Sequence, residues 1–162
     1  MKRLPWGQLL PGLSVAFALL LMLAEWPPSI AAFKPYWPAL VLVYWLLESP
    51  DHFGLGSAFV IGLVADLFTG SLLGEQALRL LVLAFIVLRF RSRLRFFPMW
   101  QQTLAVLALL FNDRILLLMV RGFAGDALPP LAYWLAPFSG ALLWPFVFLL
   151  LDGLRARARA HD

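Results

Sequence analysis

Residues 62–81 read GLVADLFTGSLLGEQALRLL. Within this apolar stretch lie Asp66, Glu75 and Arg79, together with Gly62, Gly70 and Gly74. A charge near the centre of a bilayer costs about 2.5–3.5 kcal/mol on insertion scales, so it needs a partner or a task. Gly70 follows an apolar turn as a C-terminal helix stop would, and a new apolar run opens at Leu72. The stretch therefore predicts a tight helical hairpin with Gly70-Ser71 at its turn. Ala58, Gly62, Asp66 and Gly70 recur every four residues along one helix face. Small residues in such a strip let another backbone approach closely, which would turn Asp66 inward. A packing role alone for Ala58 and Gly62 is the plainer alternative. Glu75 and Arg79 stand one turn apart in the favourable acid-first order, as a structural salt bridge would.

The rest of the chain sets the class. Of 162 residues, 62% are hydrophobic and 14% charged, against roughly 45–50% and 25% in soluble domains. Mean hydropathy is +0.85. The expectation is an all-α polytopic membrane protein, a compact bundle forming one domain over residues 1–162. There is no cysteine, and the two histidines, His52 and His161, fall in a loop and at the tail. These features argue against a metal site. With no Ser/His/Asp set and no phosphate-cradling glycine loop, neither an enzyme nor a cofactor is expected. A lipid-processing enzyme using Asp66 or Glu75 as acid or base lacks a second group at suitable spacing.

Apolar runs place helices near residues 8–26, 33–48, 53–69, 72–89, 100–120 and 131–152. The second rests on only ten residues, Pro38–Leu47, about 15 Å of helix. Charge arithmetic supports it as a crossing. Lys2 and Arg3, the loop arginines Arg89, Arg91, Arg93 and Arg95, and the tail arginines Arg155, Arg157 and Arg159 belong in the cytoplasm by the positive-inside rule. The first two groups share a side only if an even number of spans separates them. Six spans follow, with both termini inside. Lys2-Arg3, the apolar run and Ser29-Ile30-Ala31 also fit a cleavable signal peptide, but the run is long for one and a retained anchor fits better. Trp6, Trp26, Trp37, Trp45, Trp100 and Trp134 fall near predicted helix ends, where indoles meet headgroups; Trp144 lies deeper.

On the fifth helix, Gln101, Ala105, Ala108 and Asn112 share a face at 4-3-4 spacing, and Gln101 and Asn112 are expected to bond to neighbouring helices. Asp113 and Arg114 point about 100° apart. By depth, Asp66, Glu75, Arg79, Asp113 and Arg114 fall in the same outer half of the membrane. This predicts an outer polar cluster with Asp66–Arg114 as its pair; the alternative is that Arg114 snorkels to the headgroups. On the sixth helix, Ser139-Gly140-Ala141 suits close packing, and Trp144-Pro145 marks a kink. The arginine runs fix topology and touch anionic lipid, so a pI near 10.1 implies no nucleic acid.

Four segments carry a family resemblance: YWLLESP, GLVADLFTGSLLGEQAL, RFFPMWQQ and LLWPFVFLL. In this order they resemble the bacterial rod shape-determining protein MreD family, from about Pro38 to Leu151. Asp66, Gly70, Gly74, Pro98, Trp100, Gln101, Gln102, Trp144 and Pro145 match its pattern, while Arg79 and Arg114 depart from it. The resemblance implies an inner-membrane scaffold of the cell-elongation machinery (the elongasome). Such a scaffold sits beside the single-span protein MreC and couples MreB filaments to peptidoglycan synthesis by RodA and a penicillin-binding transpeptidase. A homodimer is left open. It also implies a fold similar to substrate-binding subunits of energy-coupling-factor vitamin transporters. The rival reading is therefore a solute-binding transporter subunit, with Asp66, Asn112 and Asp113 lining an outward pocket. For a scaffold, the Gly62–Asp66–Gly70 strip and the Trp100–Asn112 face are the expected partner surfaces.

Overall fold

The computed structural model describes residues 6–70 and 72–161. Lys2, Arg3 and Ser71, used above for topology and for the hairpin turn, lie outside the described residues. Among the described residues there is no strand, and six α-helices follow one another: α1 (Trp6–Leu23), α2 (Trp37–Glu48), α3 (Leu55–Thr69), α4 (Glu75–Leu94), α5 (Met99–Phe123) and α6 (Ala136–His161). Short 3₁₀ turns at Ala31–Phe33 and Leu131–Leu135 precede α2 and α6. α1, α5 and the segment Leu131–His161 are long and apolar enough to cross a membrane. α3 is apolar but only 15 residues long. α4 is interrupted by charge at both ends, from Glu75 and Arg79 to Arg89, Arg91 and Arg93.

The shortest helix occupies the centre. α2 packs against α1, α4 and α6, and every residue from Pro38 to Leu47 is buried. A helix that is apolar on all sides belongs in an interior. The twelve residues of α2 rise about 18 Å, against a hydrocarbon core of about 30 Å. Its brevity thus reflects a central position, with other helices between it and the surroundings.

Several helix ends differ from the sequence reading. α1 stops at Leu23, and residues 31–33 form a separate turn, so α2 starts at Trp37. Pro27, Pro28 and Pro35 supply no N–H to continue a helix across this stretch. α4 runs on to Leu94 and α6 to His161, making helix of the arginine runs expected as loop and tail. Cations in a last turn lie favourably against the negative end of the helix dipole. Two of these arginines also have specific partners at the end of α2. Arg91 Nε donates to the Leu47 carbonyl at 2.9 Å, and Arg155 pairs with the Glu48 carboxylate at 2.9 Å. Trp45 departs from the expected headgroup position: it is buried, and its indole N–H donates to Ser14 Oγ on α1 at 2.8 Å.

The hairpin forms with α3 stopped at Gly70, while α4 opens at Glu75 rather than at Leu72 as expected. Gly70 caps α3 in the left-handed conformation, φ 67°, which suits a residue without Cβ. Ala58, Gly62, Ala65 and Asp66 are the buried residues of α3, and the face they form lies on α4. A Cβ added at Gly62 would stand 2.3 Å from Ala77 Cα and 2.7 Å from the Gln76 carbonyl oxygen. Both obstructions are backbone, so no rotamer change relieves them. Gly62→Val is therefore expected to force α3 and α4 apart, costing at least the ~1–3 kcal/mol typical of overpacking. Thermal unfolding in detergent, with Gly56→Val as a control at an open position, checks this.

Candidate functional site

The hairpin leaves the first turn of α4 facing the last turn of α3. A helix N-terminus carries amide N–H groups without intrahelical partners and the positive end of the dipole. Asp66, 2% exposed, supplies the missing acceptors from the neighbouring helix. Its Oδ2 accepts the Gly74 N–H at 2.8 Å and its Oδ1 the Gln76 N–H at 2.8 Å, with Ala77 N–H farther away at 3.4 Å. Gly74 adopts φ 97°, which turns its N–H toward the carboxylate. Asp66 does not pair with Arg114. Its charge is matched by backbone dipoles at the start of α4, and the expectation of an Asp66–Arg114 pair is corrected.

The closest buried ion pair among the described residues is Arg79–Asp113. Arg79 Nε and Nη2 donate to the two carboxylate oxygens at 2.8 and 2.6 Å, a bidentate fork joining α4 to α5. The guanidinium and carboxylate groups are 6% and 3% exposed. Glu75 is the looser partner, 4.0 Å from Arg79 and 3.7 Å from Arg121. The expected i,i+4 bridge is thus present but secondary. Arg79 also lies 4.3 Å over the Tyr36 ring, and the Tyr36 hydroxyl donates to Gln76 Oε1. The predicted cluster therefore forms around Asp66, Glu75, Arg79 and Asp113. Tyr36, Gln76 and Arg121 join it without having been singled out. Arg114 sits at its edge, 4.6 Å over the Tyr133 ring, and its carbonyl accepts the Tyr133 hydroxyl at 2.6 Å.

On α5 the buried face is one residue away from the face expected. Gln102, Val106, Leu109, Leu110, Asp113 and Leu117 are buried, while Gln101 and Asn112 are half-buried and Ala108 is exposed. Gln102 ties three helices together. Its amide donates to the Leu94 carbonyl at 3.2 Å and its oxygen accepts the buried Trp144 indole N–H at 3.1 Å. α6 runs on through Pro145. Asp66, Asn112 and Asp113 do not face one shared space among the described residues: Asp66 faces the α4 amides, Asp113 faces Arg79, and Asn112 lies off the buried stripe. Among the described residues, no buried side-chain nitrogen or oxygen lacks a partner.

Fold and site together define a polytopic helical bundle with the apolar helices of a membrane protein, its interior charges joining one helix to the next. The chain belongs to the rod shape-determining protein MreD family, whose model matches residues 5–154. It is 36% identical over 158 residues to the rod shape-determining protein MreD of Haemophilus influenzae, covering 98% of this chain and 96% of that protein. No solved structure matches the chain.

Removing one member of a buried ion pair costs about 3–5 kcal/mol, because the other is left charged and alone, whereas replacing both by apolar groups is often neutral. Arg79→Leu and Asp113→Leu are each expected to lower stability by that order. The double variant should recover most of the loss. Denaturation of the purified variants in one detergent measures it; additive losses would refute the pairing.

Proposed function

We propose that this protein is a non-enzymatic inner-membrane scaffold of the cell-elongation machinery. In this reading it recruits an MreC-like single-span protein and thereby links MreB filaments to wall synthesis by RodA and a penicillin-binding transpeptidase. Both termini lie in the cytoplasm. Family membership and the relative's name support the role in rod shape.

The observation that carries the scaffold reading is the engagement of the buried polar groups. Asp66, Arg79, Gln102 and Asp113 all hold helices to one another, as a rigid platform requires. A solute site in the bundle interior would leave some of them without a partner in the protein. Of the Gly62–Asp66–Gly70 strip expected as a partner surface, Gly62 and Asp66 are covered by α4 and Gly70 is exposed. On the expected Trp100–Asn112 face, Trp100 is exposed while Gln101 and Asn112 are half-buried. Beside it, Leu104, Ile115 and Met119 continue an exposed apolar stripe with Trp100 along α5. It offers a helix-sized surface to a membrane-spanning partner.

Deleting the gene from its rod-shaped host is expected to round the cells, and gentle affinity purification to recover an MreC-like partner. Ile115→Trp combined with Leu104→Trp, on the exposed stripe, should weaken that recovery without lowering the unfolding temperature. Purification with a tightly held small molecule and no wall-synthesis partner would reverse the assignment in favour of solute binding.

A further inference from the structure

The polar cluster has a second side that opens outward. A cleft of about 250 Å³ lies between the α1–α2 connection and the adjoining turns of α4 and α5. Its polar lining is Lys34, Tyr36, Gln76, Arg79, Arg114 and Arg121, and no carboxylate lines it among the described residues. Four cations thus border one small space. Asp113 neutralises Arg79 from behind, and Glu75 lies 3.7 Å from the half-exposed Arg121. Lys34 and Arg114 form no ion pair among the described residues. Lys34 donates to the Met22 and Ala24 carbonyls at the end of α1, and Arg114 rests on the Tyr133 ring. These contacts position the two side chains, with Glu25 acting on Lys34 and Asp113 on Arg114 only from beyond ion-pair distance. Mutual repulsion among such groups is strong where water is scarce, and an anion in the cleft relieves it.

We propose that this cleft binds a phosphate-bearing anion, in the form of an anionic phospholipid headgroup. Guanidinium forks match phosphate oxygens in charge and geometry. The space falls below the roughly 300–1,000 Å³ usual for drug-sized ligands, which suits a headgroup better than a whole soluble metabolite. The flanking chain exposes Leu23, Ile30 and Phe33, an apolar shoulder along which acyl chains lie once the headgroup is seated. Lipid bound here bridges the α1–α2 connection to α4 and α5. The site stands apart from the scaffold role and remains meaningful if that role is wrong.

The test uses the full chain purified in mild detergent. Native mass spectrometry follows titration with dioleoyl phosphatidylglycerol, dioleoyl phosphatidylcholine and inorganic phosphate separately. Phosphatidylglycerol is expected to bind at least about tenfold more tightly than phosphatidylcholine, with Arg114→Gln and Arg121→Gln each weakening it by about tenfold, the size of one charge-assisted hydrogen bond. Arg114→Lys should retain part of the affinity, and Arg121→Gln, altering an exposed side chain, keeps the test valid if Arg114 variants unfold. Inorganic phosphate binding as tightly as phosphatidylglycerol, with the same sensitivity to both arginines, would keep the anion site but assign it to a soluble phosphate. Equal binding of the two lipids with no effect of Arg121→Gln overturns the proposal.

Discussion

Helix α2 is buried from Pro38 to Leu47, and polar contacts to its neighbours meet it at both ends. At one end, Arg91 and Arg155 arrive from α4 and α6 to meet the Leu47 carbonyl and Glu48. At the other, Tyr36 links the start of α2 to Gln76 and lies beneath Arg79. Side chains at both ends thus tie this short central helix to its neighbours. The bundle is held at both ends by polar contacts and along its middle by the apolar packing of α2.

The same logic accounts for the charges in the hairpin. Asp66 serves α4 as a cap supplied from outside the helix, at a position its own sequence neighbours do not fill. The close approach at Gly62 brings the carboxylate within reach of those amides. Arg79 and Asp113 then fasten the hairpin to α5, and Gln102 fastens α5 to α6 at the other end. Buried ion pairs add less net stability than their Coulomb attraction implies, because both ions must be desolvated. Their larger effect here is on register: a bidentate fork fixes the rotation of α4 against α5, which apolar contacts between helices leave comparatively free.

Rigid interior and cationic rim divide the polar residues into two groups. Those inside are satisfied by one another, as a structural bundle demands. Lys34, Arg114 and Arg121 at the rim retain charge that the protein itself does not fully match.

The sequence by itself determined the helical class, the helix stop at Gly70 and the inward turn of Asp66. Each follows from local periodicity, a glycine stop or the cost of charge in an apolar medium. It left undecided which of two neighbouring faces of α5 is buried. Gln101 beside Gln102, and Asn112 beside Asp113, let either rotation present an amide and a second polar group. Only the packing of Arg79 against Asp113 and of Trp144 against Gln102 resolves that ambiguity. The tertiary structure also decided that Arg91 and Arg155 cap a buried helix, and that Arg79 rather than Arg114 carries the interior pair. Partners in these contacts lie from 34 to 107 residues apart in the chain, and no local pattern encodes which helix will stand beside which.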